Sequence, residues 1–472
     1  MDKNLDLEKL AVAPEELSSD LEGGRPLLVF DLRLKENFAR GHVKGSVHAV
    51  CDSRAKETIM PKIPRGVRIV LIDEDGSVSS QTAGMMASYG LDAHFLRGGI
   101  KSWAGDLVSR DVHMTITPEE LWRRMENNED LVLVDVRQPE EFSDFAIPGS
   151  INIPLGDLFN NESLDKIPRG RQVVTVCPHG NRSMVAAFAL ARNGTEALSL
   201  SGGLAGWGQV LSPKTLARDG ATVLQVEKVG KGCLSYVIGS GGEALVVDPV
   251  YPAEKYIEIA RGKGLEITKV IDTHQHADHV SAARDLAGLA GAALYMSRYE
   301  QYDFESSRIG DGDVIPVGES SVRAVHTPGH TPGSLSLLLD EKYLFTGDVL
   351  FVDGIGRPDL RDRAREFAAS LYDTLHGKLL VLPGDTRILP AHRGEQVPRG
   401  RGPYHSTIRA AREMEIFRLP RDAFVEKVAG MALPRPMNYE KIIGINRSRA
   451  RVPVPEVADL EIGPNRCAIA TA

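Results

Sequence analysis

"DTHQHADH" (residues 272–279) places three histidines and two aspartates within one short stretch. Side chains of this kind are too dense here for an apolar core and too ordered for a loop that only faces water. Histidines scattered singly are usually surface or satisfied core residues. Clustered beside aspartates at a strand end, they read as metal ligands. The strand is the β-branched run "KVIDT" (269–273), and eight of the 13 histidines lie beyond residue 270. A metal there could activate water to cut a bond or activate oxygen to make one, and this stretch alone does not separate the two.

Moving outward, three more places offer ligands. His330 lies in "HTPGHTPGS" (326–334), where two Pro-Gly pairs fix a turn. Asp348 ends the strand-like "YLFTGD" (343–348), and His392 lies in "LPAHRG" (389–394). Around them "LSYVIGS" (234–240) and "EALVVDPV" (243–250) read as strands, and "AEKYIEIARGKG" (253–264) as a helix. These four motifs, in this order, resemble the metallo-β-lactamase superfamily over about residues 222–400. The resemblance implies an αββα fold. In dinuclear hydrolases of that superfamily, such as glyoxalase II, it implies two Zn(II) ions held by His274, His276, Asp278, His279, His330, Asp348 and His392, with Asp348 bridging. In the persulfide dioxygenases the matching positions His274, His330 and Asp348 hold a single Fe(II). Two histidines and a carboxylate leave three coordination positions open for dioxygen and substrate. The second-metal positions His276, Asp278, His279 and His392 are all present, so ligand count leaves both branches open.

Three details favour the dioxygenase branch. "KGCLSYVIG" (231–239) resembles its opening strand. "GIGRPDL" (354–360) resembles its substrate-side motif, which implies that Arg357 meets a carboxylate of a thiol substrate such as glutathione. "GPYHSTIRAAREME" (402–415) and "PRPMNYEKIIGINR" (434–447) resemble its short C-terminal segment, where the glyoxalase branch carries a sizeable helical domain. "PAHRG" departs from single-domain members in lacking the Asp-Tyr that follows the matched histidine. Cys233 reads as a packed strand residue.

The first half contains a repeat. "LVFDLRLKENFARGHVKGSVHAV" (28–50) parallels "LVDVRQPEEFSDFAIPGSINIP" (133–154), and "FLRGGIKSW" (95–103) parallels "LSLSGGLAGW" (198–207). Asp31 matches Asp135 and Trp103 matches Trp207; 135 − 31 and 207 − 103 both equal 104. Each copy alternates β-rich runs with helical stretches, as expected of an open parallel sheet covered by helices. In the second copy the strand "QVVTV" (172–176) leads through "CPHGNRS" (177–183) into the helix "SMVAAFALARNG" (183–194). Backbone N–H groups of that loop and the charge of Arg182 would converge on Cys177 and stabilise an anionic sulfur. These features resemble the rhodanese family over about residues 14–215, which implies that Cys177 carries a persulfide. Phosphatases of the same fold have one more residue between Cys and Arg. One departure is Phe145-Ala146, where the first copy keeps the family's Gly41-His42. The 104 offset places Asp73 at the Cys177 position and Val78 at the Arg182 position, so the first copy reads as catalytically silent.

The totals agree with a globular enzyme. Hydrophobic residues make up 42% and charged residues 25% of 472, enough for several cores. A net charge of −8 and a pI near 6.0 argue against nucleic acid as a partner, and the arginine-rich "PRGRGPYHSTIRAAR" (398–412) reads as a solvated or substrate-facing surface. No run approaches the roughly 18 apolar residues of a membrane span. The acidic N-terminus does not read as a secretory signal, and four well-separated cysteines suggest no disulfide framework; a cytoplasmic location is expected.

The expected architecture is α/β multidomain. A silent rhodanese-like parallel-sheet domain (1–110) precedes an active one (111–215). An αββα metal domain (222–420) and a C-terminal extension packed on it (421–472) follow. The two resemblances together imply sulfane-sulfur chemistry: a persulfide R–S–SH and O2 give sulfite and R–SH at one site, and Cys177 exchanges sulfur with sulfite and thiosulfate pools at the other. A thioester hydrolase with an accessory sulfurtransferase, or a sulfur-carrier module, are the competing expectations. Whether the chain forms a homo-oligomer is left open.

Overall fold

The computed structural model describes residues 7–23, 27–49, 66–109, 115–159, 163–192, 194–218, 220–359, 363–394, 402–431, 435, 438–463 and 467–470. Cys51, the expected boundary at 110/111 and residues 398–401 of the arginine-rich run lie outside them. Two compact units divide the chain, Met1–Gly206 and Trp207–Ala472. Among the described residues no helix is long and apolar enough to cross a membrane.

The first unit holds two five-stranded parallel sheets of one topology. The first runs Ala11–Val12, Ala93–Leu96, Arg68–Ile72, Leu27–Asp31, Ser46–His48. The second runs Thr115–Ile116, Ala197–Leu200, Gln172–Val176, Leu131–Asp135, Ile151–Asn152. The 104-residue offset is also the offset of the ladders: Asp31 pairs with Ile72 and Asp135 with Val176, Ala11 with Phe95 and Thr115 with Ser199. Strands covered on both faces are apolar almost throughout, as "RIVLI" and "QVVTV" are. Leu71, Met86 and Phe95 of the first repeat share a core with Val173, Val185 and Leu190 of the second. In both repeats an arginine forks the aspartate that ends a strand, Arg33 on Asp31 and Arg137 on Asp135. Arg33 also donates to the Gly41 carbonyl and Arg137 to the Phe145 carbonyl. The departure at Phe145-Ala146 therefore keeps this support, because the contact is to backbone.

In the second unit a seven-stranded sheet (strands from Leu211–Ala217 to Ser307–Ile309) faces a six-stranded one (Val314–Val317 to Ser406–Thr407). Side chains alternate along each strand. Val223, Leu245 and Val247 meet Val322, Leu337 and Phe345 between the sheets. Leu224, Ala244 and Val246 point outward to the helices Glu254–Arg261 and Ala283–Ala290. Helix Ala364–Thr374 covers the outer face of the six-stranded sheet through Ala368 and Leu371. This is the αββα arrangement expected.

Two segments differ from, or add to, the sequence reading. Residues 211–217, which straddle the end of the expected second rhodanese-like domain, form a strand paired antiparallel with Thr222–Lys228. The strand is the sheet's edge, where Pro213 removes no ladder bond that the sheet requires. The C-terminal residues enter the cores themselves. Phe424, Val425 and Val428 pack beneath the six-stranded sheet, and Ile442, Ile445, Val457 and Leu460 beneath the seven-stranded one. Each such side chain contributes about 1.5–3 kcal/mol by burial.

Candidate metal centre and sulfurtransferase site

His274, Asp348 and His392 follow the C-terminal ends of the strands Glu266–Ile271, Tyr343–Gly347 and Arg387–Pro390. His330 lies in the turn between Ser320–His326 and Leu335–Leu339. Gly347 takes a left-handed conformation with φ 51°, and a Cβ there would crowd Thr273 beside His274, so glycine is required.

The side chains converge. His274 Nε2 is 3.5 Å and His330 Nε2 3.6 Å from Asp348 Oδ2. All three atoms are buried and none has a hydrogen-bond partner. Three orphaned polar atoms aimed at one point are costly unless a cation sits there, and the donor set N, N, O suits a divalent transition metal. The opposite edge of each ligand is anchored. Thr273 donates its hydroxyl to Asp248 Oδ2 at 2.8 Å, which leaves its oxygen to accept from His274 Nδ1 at 3.0 Å. His330 Nδ1 donates to the Arg357 carbonyl at 2.9 Å, and Asp348 Oδ1 accepts from His392 Nδ1 at 2.7 Å. Both ligand histidines thus carry their proton on Nδ1 and turn the Nε2 lone pair inward. Burial pushes the His330 imidazole down to about 4, keeping it neutral. Burial alone would raise the Asp348 carboxyl, but the facing imidazoles of His392 and His274 hold it well below the usual range.

The second-metal positions form an adjoining group. Asp278 takes His392 Nε2 at 2.9 Å and His279 Nδ1 at 3.1 Å. His276 Nε2 bonds Asp248 Oδ1 at 3.2 Å. Both nitrogens of His392 are therefore engaged with carboxylates, while His276 Nδ1 and His279 Nε2 have no partner. Two cysteines border the cage. Cys233 is buried at the start of strand Cys233–Ser240, as expected, with Sγ 3.5 Å from Asp278 Oδ2 and 3.8 Å from His279 Nδ1. Cys467 Sγ lies within 4.8 Å of side-chain atoms of Asp348 and His392, and burial pushes its thiol up.

Sequence reading missed Asp248 and Cys467. A signal for Asp248 exists in "VVDPV", a carboxylate closing an apolar strand before proline. Its backbone has φ 49°. Cys467 lies far from the ligands in sequence, and nothing local marks it.

Arg357 is fully buried, and its fork is filled by Asp359 at 2.7 Å on both arms. Its carbonyl accepts from His330 Nδ1 and so fixes that imidazole.

In the first unit Cys177 is 1% exposed at the end of Gln172–Val176. Gly180 N–H donates to its Sγ at 3.2 Å, and the thiol faces Ser183 Oγ at 3.3 Å. Gly203, with φ 56°, lets the chain pass beneath this loop; a Cβ there would overlap the Cys177 carbonyl oxygen, which accepts from Leu204 N–H at 2.8 Å. Arg182 is not free to act on sulfur alone. It forks Glu141 at 3.0 and 2.9 Å and holds that carboxyl below its usual range.

The first repeat has other residues at these three positions. At the positions of Cys177, Arg182 and Glu141 it has Asp73, Val78 and Asn37. The Asp73 carboxylate fills the cradle instead, accepting from the N–H groups of Gly76 (2.6 Å), Val78 (2.6 Å) and Ser79 (3.2 Å) and from Ser79 Oγ (2.7 Å). Glu141→Gln should leave the Arg182 charge unbalanced beside Cys177. Sulfur transfer from dianionic thiosulfate is then expected to rise roughly two- to tenfold at low ionic strength, with the gain shrinking as salt is added. Steady-state rates at two salt concentrations check this; an unchanged or lower rate would show that Glu141 serves only to place Arg182.

A family model for rhodanese-like domains matches residues 13–106 and again 117–209, and one for the metallo-β-lactamase superfamily matches residues 229–392. These are the two repeats and the sheet sandwich with its ligand cage. The mitochondrial persulfide dioxygenase ETHE1 of Mus musculus is 31% identical over 229 residues, which span 46% of this chain and 84% of that protein. A hydroxyacylglutathione hydrolase of Gloeobacter violaceus is 35% identical over 153 residues, 32% of this chain and 58% of that protein. The crystal structure of ETHE1 from Myxococcus xanthus aligns at 28% identity with a TM-score of 0.44, covering 47% of this chain and 96% of that one. The chain belongs to the persulfide dioxygenase family, with two rhodanese-like domains ahead of the metal domain.

Proposed function

We propose that the chain oxidises the terminal sulfur of a low-molecular-weight thiol persulfide, such as glutathione persulfide, to sulfite at a mononuclear Fe(II) site, and that Cys177 passes sulfane sulfur among thiol persulfides, sulfite and thiosulfate. Persulfide, dioxygen and water together give thiol, sulfite and two protons. The supporting observation is the convergence of His274 Nε2, His330 Nε2 and Asp348 Oδ2, buried and without partners. Fe(II) held by these residues would bind and activate dioxygen and the persulfide sulfur. The chain's own part is preorganisation. Thr273 and the Arg357 carbonyl fix the imidazole tautomers, His392 steers Asp348, and the buried cage excludes water.

At the other site the Cys177 sulfur attacks the outer sulfur of R–S–SH. The S–S bond breaks, R–SH leaves with the proton, and Gly180 N–H steadies the sulfur anion. Sulfite then takes the outer sulfur as thiosulfate and returns Cys177 to the thiolate that began the cycle.

A second reading, thioester hydrolysis by two zinc ions, draws support from the adjoining group of Cys233, Asp278, His279 and His392. The deciding experiment adds glutathione persulfide to iron-loaded protein and follows dioxygen uptake and sulfite together. Equimolar uptake and sulfite are expected. No uptake from protein with one iron per chain would overturn the proposal and bring thioester hydrolysis forward.

A further inference from the structure

The ligand loop 272–281 is buried yet belongs to no sheet or helix, so its backbone polar groups need partners from elsewhere. Thr273 finds them in Asp248 Oδ1, which accepts from its N–H at 2.7 Å, and in Leu335 N–H, which donates to its carbonyl at 2.8 Å; for residues 276–281 the last part of the chain supplies several more. Asn446, on helix Tyr439–Arg447, donates from Nδ2 to the carbonyls of His276 (3.0 Å) and His279 (2.8 Å), and its Oδ1 accepts from Ser281 N–H (2.9 Å). One amide thus satisfies three loop groups with both its donor and its acceptor. Glu461, ending helix Val454–Glu461, accepts from Val280 N–H at 2.8 Å. It is held in place by the buried ammonium of Lys228, and its carbonyl takes Lys231 Nζ at 3.0 Å. Beyond it the Cys467 carbonyl accepts from Arg357 N–H at 3.1 Å, on the residue whose own carbonyl orients His330. Strand Ala468–Ala470 pairs antiparallel with Gly354–Gly356 just ahead of that residue.

We propose that the C-terminal segment is a working part of the metal centre, with Asn446 and Glu461 as positioning residues that hold the backbone of the ligand loop. The inference rests on the metal reading above, not on the identity of the substrate. Asn446 is the sharper member. Asn446→Asp keeps its shape but replaces the donating amide by an acceptor, setting negative charge against the His276 and His279 carbonyls. Asn446→Ala simply deletes the three bonds.

The experiment uses the full-length holoprotein loaded with Co(II) and, separately, with Fe(II), and measures the rate of metal release to a chelator. Val457→Ala is the control, because Val457 packs in the same C-terminal helices and is not bonded to the loop. Asn446→Asp and Asn446→Ala are expected to release metal roughly 10- to 100-fold faster than the unaltered protein. They should also shift the visible absorption bands of the Co(II) form, which report ligand geometry. Val457→Ala should change neither. Backbone amide exchange of the metal-free proteins provides a readout independent of loading, with exchange within 272–281 expected to quicken only in the Asn446 variants. Unchanged release and bands in both Asn446 variants would overturn the proposal. So would an equal acceleration in Val457→Ala, which would mark a general loss of packing. Metal retention without persulfide oxidation would sink the function proposed above and leave this inference standing. Failure of the unaltered protein to retain either metal would sink both.

Discussion

Asp348→Ala is expected to abolish persulfide-dependent dioxygen uptake, by roughly 10³-fold or more, which corresponds to about 4 kcal/mol of transition-state stabilisation. Asp348 is the one carboxylate in the His274–His330–Asp348 group, and both its oxygens are committed. Oδ1 is held by His392, and Oδ2 is the orphan that faces the two imidazoles. Removing it takes away the anionic ligand and leaves two neutral nitrogens, too weak a set to retain a labile divalent iron. Iron content after desalting and dioxygen uptake should therefore fall together. His392→Ala sharpens the test. If the site is mononuclear, His392 is an outer partner of Asp348, and its loss should weaken metal binding or activity only about 10- to 100-fold. If two zinc ions are bound, His392 is a ligand and its removal should be as severe as that of Asp348. Metal-to-protein ratios for the pair of variants distinguish the two cases, and equal severity would count against the mononuclear site.

Cys177→Ser is expected to bring sulfur transfer from thiosulfate or persulfide to background, on the order of 10³-fold down, while dioxygen uptake with glutathione persulfide stays within about twofold of the unaltered rate. A hydroxyl in the same loop keeps the Gly180 N–H contact but cannot carry a sulfane sulfur. The metal cage lies wholly in the other compact unit, Trp207–Ala472, with its own cores. Loss of transfer activity with uptake retained would establish two separable chemistries. A simultaneous collapse of dioxygen uptake would refute their independence and support the view that Cys177 delivers the substrate of the metal site.

The candidate ligands were legible in the sequence because metal chemistry is compositional: few other purposes gather three histidines and two aspartates in "DTHQHADH". The repeat was legible because a parallel strand paired at the same register in both copies must preserve spacing, and the offset of 104 recurs in the ladders. Arg182 was legible as a residue but not as a pair, since Glu141 lies 41 positions away and meets it only through the fold. Arg357 was legible as a residue of the site, but not its burial, its pairing with Asp359, or the carbonyl that accepts from His330, 27 residues away.

By itself, the sequence determined which atoms could hold a metal or a sulfur, because that is a property of side-chain type and local spacing. Only the tertiary structure decided which of those atoms are left without partners. Tautomer and aim depend on contacts such as His330 with Arg357 and His392 with Asp348, 27 and 44 residues apart. Asn446 reaches His276 across 170 residues. A hydrogen bond at such separation leaves no periodic trace in a sequence, because neither partner constrains its own neighbours; it exists only once packing has brought the two segments within about 3 Å.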